Sequence, residues 1–193
     1  MDTNKKQANS HSKDKSKKKN GNKARFHEKY EGKLKEFFIE ELKDIYGAEE
    51  EILKGLDKMA AAATSNKLKK SIEKHHSQTE NQVERLKKAF EMMGEKPSKK
   101  KCEAIEGLLK EGEAVVKNTE ADTMVRDVGI IISNQKVEHY EIATYGSLIE
   151  LARTIGLDEV ADLLGETLQE EKETDVLLTE LAIDSVNPKA SKE

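Results

Sequence analysis

Two glutamates stand three positions apart in the segment VEHYEIATYG, which covers residues 137–146. At this spacing Glu138 and Glu141 lie on one face of a helix. When each residue turns the helix by about 100°, the same face carries most of the neighbouring apolar positions. These positions are Ile130, Ile131, Val137, Tyr145, Leu148, Ile149 and Ala152, with Asn134 among them. Both carboxylates therefore point at the core, where a charge requires protonation, a basic partner or a bound cation.

The same analysis places acidic or imidazole groups on the inward faces of three other predicted helices. Glu49 lies in the middle of one apolar stripe, and Glu171 and Asp175 lie inside another. His75 is the corresponding group on a third helix. No lysine or arginine falls clearly on any of the four stripes, so the sequence offers no obvious basic partner for these carboxylates.

The third of these helices offers two neighbouring histidines. Glu73 and His76 have the Glu-x-x-His spacing of di-iron bundles, but Glu73 points away from the apolar stripe and His76 lies at its edge. His75 lies inside the stripe. We therefore expect His75 to be the inward imidazole, with His76 as the alternative.

The elements that must position these groups are helices. The chain has 193 residues, of which 37% are charged and 35% hydrophobic, with two prolines and no tryptophan, a composition typical of an all-α protein. Apolar residues recur at spacings of three, four and seven, which indicates amphipathic helices. The sequence predicts four long helices and one short amphipathic segment between the second and the third. The predicted ranges are 33–62, 66–93, 121–153 and 158–184 for the long helices, with the short segment inside 99–118.

Both ends of the chain are predicted to lie outside this bundle domain, which spans residues 31–185. Residues 1–27 hold nine lysines and arginines against two aspartates, a net charge of +7, while the remainder carries −11. A segment this polar cannot bury enough surface to fold, so residues 1–30 are predicted to form a disordered basic tail. The tail could contact nucleic acid or an acidic surface nonspecifically, or it could serve as a solubilising tail. Residues 186–193 are predicted to be a disordered C-terminal tail because Pro188 ends the helical pattern.

Several features favour a soluble cytoplasmic protein. The single cysteine, Cys102, excludes an intramolecular disulfide and fits a reducing compartment. No run of about 18 apolar residues is present to span a membrane. Sequence motifs for a nucleophilic hydrolase, a P-loop or a dinucleotide fold are absent.

The acidic and imidazole groups are predicted to converge. Each lies near the middle third of its helix, so an antiparallel bundle brings them to one level. Together they form an oxygen-rich site for one or two metal ions. Carboxylates with imidazole suit iron or manganese, and zinc can take their place. The predicted ligands are Glu49, His75, Glu138, Glu141, Glu171 and Asp175.

Six segments carry a family resemblance: LKDIYGAEEEIL, KHHSQT, QVERL, KKCEAIEGLLKEG, VRDVGIIISNQKVEHYEIATYG and ETLQEEKETD. Together they resemble the YciE/YciF stress-protein family of ferritin-like proteins over about residues 33–183. The resemblance implies a ferritin-like four-helix bundle with a short extra helix in the crossover between helices two and three. It also implies a homodimer and a dimetal site of the di-iron type, similar to that of rubrerythrins. The six predicted ligands are the matching positions.

Two departures leave the number of ions open. Ile72 stands where a glutamate three positions before His75 would complete a Glu-x-x-His pair. The last helix offers Glu171 and Asp175 four positions apart instead of a second such pair. The site could hold a single ion or a pair.

Two functional hypotheses follow. A pair of ferrous ions can pass two electrons to peroxide or dioxygen, which predicts an oxidoreductase that consumes peroxide or oxidises iron under stress. Tyr145, one turn beyond Glu141 on the same face, is a candidate catalytic residue as a hydrogen-bond donor to a ligand or a radical carrier, or it is an ordinary core tyrosine. The alternative is a non-catalytic helical dimer that binds partners or nucleic acid. Metal analysis of protein from iron-supplemented medium separates the two.

Overall fold

The structure, a computed structural model, describes residues 32–193. The chain forms six α-helices and one π-helical turn within this range. The predicted basic tail, residues 1–30, lies outside the described residues. The elements are α1 (Lys33–Ala62), α2 (Asn66–Met92), α3 (Glu103–Asn118), α4 (Met124–Thr154), α5 (Asp158–Leu181), the π-helical turn (Ala182–Val186) and α6 (Asn187–Ala190).

The four long helices form because their apolar residues repeat with the helical period. In α1 these residues are Phe38, Leu42, Ile45, Ile52, Leu56 and Met59, none of which is more than 4% exposed. Burying each of these side chains contributes about 1.5–3 kcal/mol relative to leaving it in water. Matching stripes on α2, α4 and α5 close one common core.

The long helices are arranged as a ring in which α1 contacts α2 and α4, and α5 contacts α2 and α4. Short connections make α1 antiparallel to α2 and α4 antiparallel to α5. Because the end of α1 lies beside the start of α4, these two helices are also antiparallel. The helices α2 and α4 therefore run in the same direction, and the chain between them must return along the whole bundle.

The crossover that makes this return contains α3, which packs against α4 and α1. Its backbone lies directly on α1, where the amide of Lys100 donates to the carbonyl of Lys43 at 3.0 Å. A Cβ atom at Gly47 would come within 1.9 Å of the Lys100 carbonyl oxygen, so this close approach requires glycine. The predicted all-α four-helix bundle with a short extra helix in the crossover is confirmed.

The C-terminal residues are helical, whereas the sequence predicts a disordered tail over residues 186–193. Val186 is buried, and α6 continues the chain through Pro188 in helical conformation. Proline is tolerated there because it occupies the first turn, where its missing N–H group has no helical partner. The carboxylate of Glu193 accepts hydrogen bonds from the amides of Met124 and Val125 at 2.8 and 3.2 Å. The end of the chain thus caps α4.

No helix between residues 32 and 193 is both long enough and apolar enough to cross a membrane.

One buried carboxylate has a structural role. Asp127 at the start of α4 is fully buried, and its two oxygens accept hydrogen bonds from the amides of Thr64 and Ser65, both at 2.7 Å. These amides precede α2, whose N-cap residue Ser65 makes no capping bond with its own side chain. Asp127 therefore satisfies the donors at the α1–α2 connection from a different helix.

We expect Asp127→Ala to destabilise the protein by about 1–3 kcal/mol, because it leaves the buried amide of Ser65 and the half-buried amide of Thr64 without acceptors. Urea unfolding followed by circular dichroism measures the change. Asp162→Ala on the exposed surface of α5 is the control and should change stability by less than about 0.5 kcal/mol. Equal stabilities of the two variants would contradict the capping role.

Candidate metal centre

Four side chains from three helices meet in the centre of the bundle. They are His75 of α2, Glu138 and Glu141 of α4, and Glu171 of α5. One ligand atom from each of the four lies within 4.8 Å of the corresponding atoms of the others. The three glutamates are fully buried and the histidine is 2% exposed, so the cluster is shielded from bulk solvent.

Glu49 adds a carboxylate from α1, so that all four long helices contribute. It is also fully buried, and the hydroxyl of Tyr145 donates a hydrogen bond to its Oε1 atom. Burial, followed by the charge of Glu49, raises the pKa of Tyr145 well above its ordinary value. The tyrosine therefore stays protonated and serves as a donor to Glu49.

The ligand atoms face one another without hydrogen bonds. Nε2 of His75 lies 3.2 Å from Oε1 of Glu138 and 3.8 Å from Oε2 of Glu171, yet none of these three atoms makes a well-directed hydrogen bond. Both oxygens of Glu141 and Oε2 of Glu49 also lack partners among the described residues. Buried polar atoms are rarely left in this state, so the cluster has the donor atoms and the geometry to accept a cation.

The histidine tautomer fits this interpretation. Nδ1 of His75 lies 3.5 Å from the hydroxyl of Thr174, and that hydroxyl donates its own proton to the carbonyl of Glu170 at 3.0 Å. The hydroxyl can therefore only accept from His75, which places the imidazole proton on Nδ1. Nε2 is left with a lone pair that points at the carboxylates, as metal ligation requires.

Without a metal ion, the surroundings of the cluster disfavour the charged forms of its glutamates and of His75. Burial and then the charge of Glu171 raise the pKa of Glu49 to about 8, and burial raises the pKa of Glu171 to about 7. The same two causes raise the pKa values of Glu138 and Glu141 well above the ordinary value. Burial lowers the pKa of His75 to about 4. No lysine or arginine among residues 32–193 is buried to balance these carboxylates.

We expect the metal-free protein to lose stability as the pH rises from about 4.5 to about 8. In this window the carboxyl groups of the unfolded chain are ionised, whereas those of the folded cluster hold their protons, so the folded state binds more protons. His75 acts in the opposite direction between about pH 4 and 6.5, because its folded pKa is lowered. The loss of stability from four carboxyl groups exceeds the gain from one imidazole, so the net change is a loss.

The measurement is the urea unfolding free energy in EDTA at pH 5, 6, 7 and 8 for the wild-type protein and for Glu49→Gln. The glutamine variant removes one of the titrating groups and should show a smaller decline with pH. If the difference between the two profiles is flat, the proposed protonation of the cluster is wrong.

Among the six predicted ligands, Asp175 is placed differently from the other five. Its side chain is 23% exposed and lies outside the cluster, where Oδ1 accepts from the amide of Gln135 at 3.0 Å and Oδ2 lies 3.4 Å from Nε2 of His139. The aspartate side chain contacts these two residues of α4 instead of the core. His76, the alternative histidine, is likewise outside, 3.4 Å from Asp57.

Three residues next to the cluster were not predicted. Gln82 is fully buried and its amide donates to Glu171, while Glu170 and Arg85 form an ion pair beside it. Gln82 lies seven positions after His75 and therefore on the same helix face, which is a signal that the sequence contains. Glu170 and Arg85 are half-buried, and no pattern in the sequence distinguishes them from surface residues.

The chain is similar in sequence and structure to known proteins. The model of a family described as a domain of unknown function, DUF892, matches residues 33–191. The chain is 44% identical to the protein YciF of Escherichia coli (strain K12) over 158 residues, which are 81% of this chain and 95% of that protein. The crystal structure of the E. coli stress protein YciF matches with a TM-score of 0.78 and 42% identity, covering 82% of this chain and 100% of that one. YcfI from Rhodopseudomonas palustris matches with a TM-score of 0.75 and 38% identity, covering 77% and 94%.

Proposed function

This chain belongs to the DUF892 family, and from that premise we propose that it is a stress protein that binds one or two metal ions, iron first among them, in the core of its bundle. In this proposal the ligands are Glu49, His75, Glu138, Glu141 and Glu171. Ferrous iron held by these residues would be oxidised by dioxygen or peroxide, which would take up the electrons.

One observation carries the proposal: five buried residues present seven ligand atoms, and none of these atoms receives a hydrogen bond from an amide, hydroxyl or basic group among the described residues. Leaving even one buried polar group unsatisfied costs about 1–3 kcal/mol. Asp127, the other buried carboxylate described here, has both oxygens satisfied by backbone amides. The contrast between Asp127 and the cluster supports a cation as the missing partner.

The four carboxylates differ in how many of their oxygens accept a hydrogen bond. Glu138 and Glu141 receive no hydrogen bond on either oxygen, so both oxygens of each would be available to a metal ion. Glu49 and Glu171 each have one oxygen that accepts from Tyr145 or Gln82 and one that has no donor. All four carboxylates would hold the metal together with His75.

Iron bound here would supply the electrons for reduction of peroxide or dioxygen. The protein contributes the dry surroundings and the fixed side chains. Tyr145 keeps the carboxylate of Glu49 oriented, and its hydroxyl holds a phenolic proton next to the cluster. Thr174 keeps the proton of His75 on Nδ1 and so leaves Nε2 available.

The test is the rate of ferrous-iron oxidation with dioxygen or hydrogen peroxide by purified protein. The double variant Glu138→Ala, Glu141→Ala should oxidise iron no faster than the buffer blank, whereas Glu173→Ala on the exposed face of α5 should match the wild type. Equal rates for the double variant and the wild type would refute the proposed chemistry.

A further inference from the structure

Behind Glu171 lies a buried amide that contacts two carboxylates at once. The Nε2 atom of Gln82 donates one proton to Oε1 of Glu171 and the other to Oε2 of Glu170, the latter at 3.0 Å. Gln82 is fully buried and its Oε1 atom has no partner among the described residues. The opposite amide orientation would place that oxygen against both carboxylates, so the observed orientation is the one that the surroundings enforce.

Glu170 is itself held in place from the protein surface. Nη1 and Nη2 of Arg85 each donate to one oxygen of Glu170 at 2.7 Å, which forms a bidentate ion pair. Nε of Arg85 lies 3.2 Å from the more exposed Glu166. The contacts thus run without interruption from Arg85 through Glu170 and Gln82 to Glu171.

This chain of contacts leaves Glu171 with a single free oxygen. Oε1 is occupied by Gln82, and Oε2, which has no hydrogen bond, faces Nε2 of His75 at 3.8 Å. The amide takes one of the two lone pairs of Oε1, so Oε2 is the oxygen of Glu171 that stays fully available to an ion.

We propose that Gln82 is a positioning residue that holds Glu171 by Oε1 and so presents Oε2 to the metal centre, and that Glu170 and Arg85 act on the metal centre through Gln82. The inference rests on the proposed function of the cluster as a metal centre. Groups that orient a ligand in this way typically change metal affinity by about 10–100-fold when they are removed.

The experiment uses Co²⁺ as the probe, with affinity measured by competition against a chelator and coordination followed by visible absorption. Four proteins form a double-mutant cycle: wild type, Gln82→Met, Glu170→Ala and the double variant. Gln82→Met should weaken Co²⁺ binding by about 10–100-fold and change the absorption spectrum, because Glu171 loses the hydrogen bond that fixes the direction of Oε2.

The cycle separates action through Gln82 from direct electrostatics. If Glu170 acts only through Gln82, the double variant should bind Co²⁺ as Gln82→Met does, with no further change. Glu166→Ala is the matched control, since it removes another negative partner of Arg85 but no contact of Gln82. It should retain the wild-type affinity and spectrum. Additive effects of the two substitutions would overturn the role assigned to Glu170.

A metal-free measurement accompanies the titration. In EDTA, the side-chain amide protons of Gln82 should exchange slowly with solvent in the wild type and in Glu166→Ala, and rapidly in Glu170→Ala. Rapid exchange in the wild type would refute the relay, whatever the metal does. Wild-type protein that does not bind Co²⁺ would refute the metal centre and this inference together, whereas Gln82→Met that binds with wild-type affinity and spectrum would refute the inference alone.

Discussion

Replacing Glu141 by glutamine is expected to stabilise the metal-free protein and to abolish metal binding. Glu141 is fully buried, neither of its oxygens has a partner, and three other glutamates raise its pKa further after burial itself. A neutral amide of the same shape removes the cost of burying an acid among like charges. We expect a gain of about 1–3 kcal/mol, the range by which an unsatisfied buried group destabilises a protein.

The same substitution removes a central ligand. Metal affinity should fall by more than the roughly 10–100-fold typical of residues that only orient a ligand. Urea unfolding in EDTA at pH 8 measures the first effect and Co²⁺ titration the second. Asp175→Asn is the control, because Asp175 is outside the cluster and should alter neither quantity appreciably. A Glu141→Gln variant that is less stable than the wild type and still binds metal would contradict both the burial argument and the ligand assignment.

Metal loading is expected to stabilise the folded protein by about 4 kcal/mol when the free ion is a thousandfold above its dissociation constant. The reason is that the folded cluster gathers ligands from four helices, whereas the unfolded chain offers no preformed site. For a chain of this size each kcal/mol raises the melting temperature by about 2–4 °C.

Thermal unfolding by circular dichroism suits this test because the chain has no tryptophan. The comparison is between EDTA-treated protein and protein loaded with Fe²⁺ under anaerobic conditions, or with Mn²⁺. The double variant Glu138→Ala, Glu141→Ala should melt at the same temperature in both conditions. A melting temperature of wild-type protein that does not respond to either ion would speak for the alternative function, a helical dimer without a metal centre.

The sequence predicted the bundle because the fold depends on periodicity within each helix. The resemblance to the YciE/YciF stress proteins is confirmed by the family match and by the similarity to YciF. The burial of Glu49, Glu138, Glu141 and Glu171 was predictable for the same reason. Each lies on its apolar stripe, and the rotation of about 100° per residue is sufficient to show it.

Positions that depend on contacts between helices were not predictable. Asp175 shares the face of Glu171, but its direction is decided by Gln135 and His139 on α4. The pairing of Glu170 with Arg85 joins residues 85 positions apart, and it depends on the register of α2 against α5. The spacing of residues within each helix does not determine how α2 is aligned against α5.

The C-terminal segment illustrates a different reason. Pro188 predicts the end of order from the sequence, although proline is compatible with the first turn of a helix. Whether the chain continues as a helix is decided by the burial of Val186 and by the pairing of Glu193 with α4. Both are tertiary contacts.

The most direct test of the central claim is anomalous X-ray scattering at the iron, manganese and zinc edges from crystals of protein that has kept its native metal. We predict one or two anomalous peaks bounded by His75, Glu138, Glu141 and Glu171, with Asp175 and His76 not coordinating. Folded protein without a peak at any of the three edges, and with the carboxylates hydrogen-bonded to one another or to water, would contradict it.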